Sequence, residues 1–248
     1  MNALTTARTL TLAAVASLFL SLFAGKAHAV LFFTEEFTGA TLDPAWTQIG
    51  DASGHIGLNG SGQYLMSDDF GGGETALRRN TNDSPDSFVA TLDVSFSPLF
   101  SPNTQTDFNW RFFGPDGFVE VVLNSFGNIR VFSNHAGTNI GGPTAVTGFA
   151  DADTLNLSLS YNQGTDTFDV RYGINGGPAT DLATYTGAGN FYTNFTDARM
   201  FKFGSNDGPA TASLDRFAIS VIPEPSSAAL VGVGVFSLLL VRRRKSRR

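Results

Sequence analysis

Between Val30 and Val221 the apolar residues recur at every second position. In TLNLSLS, Leu155, Leu157 and Leu159 alternate with Asn156, Ser158 and Ser160, and after the turn NQGTD the residues Phe168, Val170 and Tyr172 repeat the alternation in TFDVRY. A side chain that changes face at each step marks an extended strand with one face in a core, whereas a helix needs a period near 3.6. The two runs therefore predict a hairpin. FVATLDVSF predicts a strand with Phe88, Ala90, Leu92, Val94 and Phe96 inward, and FNWRF one with Phe108, Trp110 and Phe112 inward. FVEVVLN and IRVFS flank the turn SFGN. No stretch of this region has amphipathic helical spacing, and Gly, Asn, Asp and Pro break it every eight to twelve residues or so, the cadence of a sandwich. The fold class is read as all-β, a two-sheet antiparallel sandwich over 30–221. The 23 phenylalanines suit the space between sheets packed about 10 Å apart.

Charge narrows the partners. Of 16 basic residues, Arg8 and Lys26 precede the sandwich and six follow Val241, so eight face all 22 acidic residues in the middle, a net of −14. Repulsion on that scale excludes nucleic acid and favours a neutral or cationic partner. The absence of cysteine removes disulfides, thiolate metal sites and thiol nucleophiles.

Both ends carry addressing signals. Met1 to Ala29 has one early positive charge, an apolar stretch from Leu10 to Ala24 and the small residues Ala27 and Ala29. That pattern reads as a secretory signal peptide over 1–29, cut after Ala29 by signal peptidase; an uncleaved anchor would export the middle equally. At the other end, residues 222–248 combine Pro223, Glu224 and Pro225 with an apolar run to Val241 and the basic cluster Arg242, Arg243, Arg244, Lys245, Arg247 and Arg248. The prolines keep the tripeptide extended. Ala228 to Val241 would give a helix of about 21 Å at ~1.5 Å per residue, short for a core of about 30 Å. Starting the transmembrane helix near 226 and letting the arginines of the tail 242–248 snorkel narrows the difference, with the tail cytoplasmic.

Pro-Glu-Pro, a short apolar helix and a terminal arginine cluster, in that order at the end of an exported chain, resemble the PEP-CTERM sorting signal of Gram-negative bacteria. The resemblance implies an exosortase as partner, with Pro223, Glu224 and Pro225 as recognition residues and Arg242, Arg243 and Arg244 helping to hold the chain in the membrane. It also implies a host that makes exopolysaccharide or biofilm, and a final place at the cell surface or in the extracellular matrix.

A second resemblance lies at the ends of the sandwich. FFTEEFTGATLDPAWT, with Phe33, Glu35, Phe37, Leu42, Asp43, Pro44 and Trp46, and ASLDRFAIS, with Asp215, are similar to the first and last strands of concanavalin A-like lectin and glucanase jelly rolls, laminin G-like domains included. This implies a jelly roll whose terminal strands lie side by side. Glu35 shares a face with Phe33 and Phe37, and Asp215 one with Phe217, Ile219 and Val221, so the two carboxylates could meet in a structural Ca²⁺ site; each could equally lie solvated at a rim or pair with a cation such as Arg216. SDDFGGGE, with Asp68, Asp69 and Glu74, could hold an ion or simply turn the chain.

Catalysis has little to stand on. The glucanases of that family place their carboxylates as Glu-x-Asp-x-Glu on one strand, and here Glu120 in GFVEVVLN has no such neighbour. Glycoside hydrolysis, which needs two facing carboxylates, is the least favoured reading. Sugar binding needs flat rings and planar polar groups, offered by Trp110 and by the loops GNFYTNF, with Asn190, Tyr192 and Asn194, and SNHAGTN, with Asn134 and His135. Trp110 and Trp46 are also natural core residues. The expectation is a noncatalytic exported domain that binds extracellular polysaccharide, or a structural matrix component without a specific ligand.

Overall fold

A computed structural model describes residues 30–49, 56–67, 74–80, 87–97, 106–114, 117–124, 127–134, 138–186, 195–202 and 211–222, all within the unit Ala29–Ile222. Ala27, Ala29, Pro223, Glu224, Pro225, Arg242, Arg243, Arg244 and the helix expected over 226–241 lie outside the described residues, as do Asp68, Asp69, His135, Asn190, Tyr192 and Asn194. The described residues form strands and no helix.

One sheet runs β13 (Thr180–Thr186), β12 (Thr167–Ile174), β11 (Thr154–Asn162), β6 (Phe88–Ser97), β15 (Thr211–Val221), β4 (Tyr64–Ser67) and β3 (Ile56–Leu58), with β1 (Val30–Glu35) also paired to β15. The other runs β10 (Thr138–Ala145), β9 (Asn128–Ser133), β8 (Gly117–Asn124), β7 (Thr106–Gly114), β14 (Phe195–Lys202), β5 (Glu74–Asn80) and β2 (Trp46–Ile49). Every pairing is antiparallel. Chain neighbours are often not sheet neighbours: β6 lies between β11 and β15, and β7 between β8 and β14. Long returns of this kind distinguish a jelly roll from a simple meander.

The inward residues read from the alternation are those that fill the core. Phe88, Ala90, Leu92, Val94 and Phe96 are buried, as are Leu155, Leu157 and Leu159 facing Phe108, Trp110 and Phe112 of the second sheet. Rings bridge the layers, Phe88 stacking on Phe112 with centroids 5.4 Å apart and Phe96 meeting Phe108 edge-on at 5.3 Å. Each such side chain contributes about 1.5–3 kcal/mol through burial. Tyr172 departs from the pattern in degree, being half-buried near the end of β12.

The motifs at the two ends of the sandwich converge on one aromatic cluster. Trp46 packs within 6.0 Å of Phe33, 6.2 Å of Phe37 and 5.4 Å of Phe217, and the buried Arg79 guanidinium lies 3.4 Å from the Phe33 ring. Asp43 shapes the turn into Trp46: its Oδ1 accepts from Ala45 N at 2.7 Å and its carbonyl from Trp46 N at 2.9 Å. Leu-Asp-Pro-x-Trp is thus a turn that delivers an indole to the seam between the first and last strands of the sandwich.

β1 lies beside β15, as expected for terminal strands, with Glu35 opposite Phe217. The face assigned to Asp215 needs correction. The register of β15 against β6 slips between Leu214 and Arg216, making Asp215 an extra, bulged residue. Ala212 and Leu214 point inward before it and Phe217 and Ile219 after it, so Asp215 does not share the apolar face of Phe217 and Ile219. Strict alternation has no way to register an inserted residue.

Candidate functional site

Polar chemistry gathers on the outer face of the second sheet. β7 spends Phe108, Trp110 and Phe112 on the core and turns Asp107, Asn109, Arg111 and Phe113 outward. Because β8 and β14 flank it, Arg111 stands opposite Glu120 on one side and Asp197 on the other. The row extends to Phe132 on β9 and to Arg78 on β5. Glu120, Arg111 and Arg78 thus lie in one row of the ladder, with Asp197 at the register position between the two arginines.

Glu120 is 7% exposed. Its Oε2 accepts from Arg111 Nε and, at 3.1 Å, from Asn109 Nδ2. Beside this group run three half-buried rings, Phe113 to Phe118 at 5.9 Å and Phe118 to Phe132 at 6.2 Å. Arg111 lies 4.6 Å from the Phe118 centroid and Arg78 lies 5.3 Å from that of Phe113. Each guanidinium lies over a ring at cation–π distance.

Two enclosed groups on this face lack a hydrogen-bond partner among the described residues, Asn109 Oδ1 and Arg130 Nε. An unpaired buried acceptor or donor costs about 1–3 kcal/mol, so each calls for an ordered water. Burial pushes the Asp107 carboxyl up from its ordinary value; Arg130 opposes that rise and Glu120 adds to it. A carboxylate kept where its charge is disfavoured, beside unpaired polar groups and aromatic rings, marks a surface shaped for something other than stability.

The arrangement can present flat apolar faces with planar donors and acceptors around them, which polyhydroxylated ligands require. On the strand that carries Glu120, the residues two before and two after it on the same face are Phe118 and Val122, and Glu120 is already engaged by Arg111 and Asn109.

Of the binding residues expected from sequence, Trp110 must be withdrawn. It is fully buried between the sheets, edge-on to Phe112 at 5.0 Å and to Phe217 at 6.2 Å, with no face for a ligand. Asn134 is exposed at the end of β9, its backbone N donating to Phe118 O at 2.9 Å, and so borders the row of rings. Glu35 and Asp215 have separate partners. Glu35 Oε1 accepts from Phe37 N at 3.0 Å, supporting Phe37 in its left-handed conformation at φ 53°. Asp215 Oδ1 accepts from Gln63 Nε2 at 2.6 Å. Arg216 pairs with Glu36 through Nε at 3.0 Å. Among the described residues no three His, Asp or Glu side chains gather as metal ligands would.

The residues that sequence reasoning passed over are Asp107, Asn109, Arg111, Phe113, Phe118, Arg130 and Phe132. A signal existed in TDFNWRF, whose outward positions are all polar or charged, but only strand pairing sets them beside Glu120 and the rings.

The model of the PEP-CTERM protein-sorting motif matches residues 221–245, so the end of the chain carries that sorting motif. No curated protein matches the chain in sequence. Among solved structures it is similar to the catalytic domain of an endo-1,3-beta-glucanase (laminarinase) from Thermotoga petrophila, with 11% identity over 80% of this chain and 100% of the other and a TM-score of 0.59. It is similar to peanut lectin with 12% identity over 80% and 100%, TM-score 0.56. A GH43 protein of Bacillus licheniformis is similar with 16% identity over 76% of this chain and 39% of its own, TM-score 0.56, so this chain spans about two fifths of that protein's length. The structural neighbours are concanavalin A-like lectins and glucanases, and at such identities the likeness carries the jelly-roll fold and no activity.

Proposed function

We propose that this chain is an exported protein, sorted by an exosortase through its PEP-CTERM end, whose jelly roll binds extracellular polysaccharide without cleaving it at the surface or in the matrix of a Gram-negative bacterium. Three arguments support the reading. The sorting motif at 221–245 implies export and membrane-anchored sorting. The segments around it fit a route on which signal peptidase acts after Ala29 and Pro223, Glu224 and Pro225 are presented to the exosortase while the apolar run and Arg242, Arg243 and Arg244 hold the chain. The observation that carries the binding step is the row of half-buried rings Phe113, Phe118 and Phe132 with the Arg111 guanidinium over Phe118.

On that face a pyranose would lay its apolar side on the rings and turn its hydroxyls toward Asn109, Arg111 and Arg130. A net charge of −14 in the middle of the chain favours neutral sugars over anionic ones. Glu120 serves as the acceptor that orients Arg111 and Asn109.

A glycan array probed with the full chain in detergent, beside the double variant Phe118→Ala with Phe132→Ala, tests this. Retention of a neutral glycan by the parent and its loss in the variant are expected. Binding that survives the variant, or sugar release from the bound glycan, sinks the noncatalytic assignment to this face; self-assembly with no glycan retained favours the structural matrix role. For sorting, alanine at Pro223, Glu224 and Pro225 should leave unprocessed chain in the inner membrane of an exosortase-bearing host. Unchanged processing overturns the role of the tripeptide.

A further inference from the structure

We infer that the opposite face of the sandwich carries a second cleft for a neutral sugar, so that one domain engages two glycan chains; the bridging, though not the cleft, rests on the function proposed above. The cleft lies on the outer face of the first sheet and encloses about 300 Å³, within the range of small-ligand sites. Its floor is two adjacent rows of the ladder. Arg216, Asp93, Asn156 and Gly173 form one row across β15, β6, β11 and β12, and Thr91, Ser158 and Arg171 form the next. Arg216 and Arg171 thus bound a polar floor about three strand spacings wide, ~14 Å at ~4.8 Å each.

The wall is the turn between β12 and β13, which packs closely over residue 173. A Cβ there would come 3.1 Å from Gly177 O, so glycine lets the turn lie a few tenths of an ångström closer to the sheet. Asn156 then locks turn and floor together: Nδ2 donates to Asp93 Oδ1 at 2.7 Å and Oδ1 accepts from Gly176 N at 2.7 Å. Asn175 ties the other side, accepting from Thr154 N at 2.9 Å and donating to Asp153 at 2.7 Å. The cleft is therefore set before any ligand arrives, which lowers the ordering cost of binding.

Its chemistry selects the ligand class. Both arginines are anchored through Nε, Arg216 to Glu36 at 3.0 Å and Arg171 to Asp181 at 2.6 Å, and among the described residues their terminal nitrogens make no hydrogen bond. Thr91 and Ser158 add hydroxyls, and Asp93 adds an acceptor. Asp93, Glu36 and Asp181 outnumber the two arginines, so the surroundings repel a polyanion, while paired guanidinium, carboxylate and amide groups match vicinal hydroxyls. A neutral oligosaccharide fits both conditions.

The test titrates the full chain in detergent with cellotetraose, laminaritetraose, xylotetraose and mannotetraose, and with tetragalacturonate as the anionic control. Ser158→Trp fills the cleft; Thr91→Ala with Ser158→Ala strips its hydroxyls should the bulky change impair folding; Phe118→Ala with Phe132→Ala removes the opposite face. Two sites per chain on a neutral tetrasaccharide are expected, falling to one with either cleft variant. A titration that neither cleft variant alters, or tighter binding of tetragalacturonate, overturns the inference and leaves the opposite face standing. If the phenylalanine variant changes nothing while the cleft variants abolish binding, the opposite-face assignment falls and this one holds. Absence of binding to every probe overturns both.

Discussion

Trp110 is the residue whose replacement best separates packing from recognition. Its indole fills the space between Phe112 and Phe217, and the void left beside it, lined by Phe37, Trp46, Leu92, Ala198, Leu214 and Phe217, is only about 10 Å³. Trp110→Ala removes the whole ring from a region with no slack, and buried aromatic-to-alanine changes cost about 3–5 kcal/mol. Trp110→Phe behaves differently. It opens a cavity on the order of 40 Å³, costing ~1 kcal/mol at ~24 cal/mol per Å³. It also deletes the indole Nε1, which is buried without a partner among the described residues, and relief of an unpaired donor returns about 1–3 kcal/mol. The relief matches or exceeds the cavity cost, so the phenylalanine variant should lose no more than ~1 kcal/mol against the parent. Urea unfolding followed by tryptophan-independent circular dichroism measures both. With a slope of about 2 kcal/mol per M, the alanine variant should lose roughly 2 M in midpoint and the phenylalanine variant less than about 0.5 M. Glycan binding by the phenylalanine variant should equal that of the parent. An alanine variant within ~1 kcal/mol of the parent, or a stable phenylalanine variant that no longer binds glycan, would refute the placement of Trp110 in the core.

Two other outcomes follow from buried ionisable groups. Asp107 has its carboxyl pushed up by burial, so its charge opposes folding above the ordinary carboxylate range; Asp107→Asn should leave stability equal or higher at pH 7, with the difference vanishing as the pH falls below about 4, and a loss at pH 7 would contradict this. The Tyr64 phenol is pushed up to about 12 by burial, with Gln48 opposing, and that of Tyr161 is raised by burial and by the charge and hydrogen bond of Asp166. A phenol that holds its proton more tightly when folded stabilises the fold fully below about pH 10 and loses that contribution as the pH climbs toward 12. Absorbance at the tyrosinate band should therefore show two of the five tyrosines ionising only as the fold melts; five that titrate together near 10 before any unfolding would contradict it.

How much of this was legible in the chain can be followed residue by residue. The inward set of β6 was legible because a central strand with core on one side and solvent on the other must alternate, and no neighbour can override a period of two. The sorting motif was legible for another reason: it works as a linear segment, so order alone carries it. Trp110 was ambiguous, since a tryptophan satisfies both a core and a sugar site, and the same alternation that pointed it inward also left it among the candidate ring platforms. Glu120 looked solitary because its partners Asn109 and Arg111 belong to a different strand; a carboxylate reads as alone until the hairpin is closed. The face of Asp215 was misread because one extra residue reverses parity and leaves no mark in composition.

By itself the sequence determined the strand class, the inward residues of runs such as β6 and β11, the acidic character of the sandwich and the identity of its C-terminal address, all of which depend on neighbours in the chain. Only the tertiary structure decided which outward residues share a row, that Phe118 and Phe132 lie beside Arg111 and Glu120, that Asp215 is a bulge, and that Gly173 makes room for the wall of a cleft. Those are properties of pairing between strands far apart in sequence, and register between strands is set by the packing of the whole sandwich rather than by any one of them.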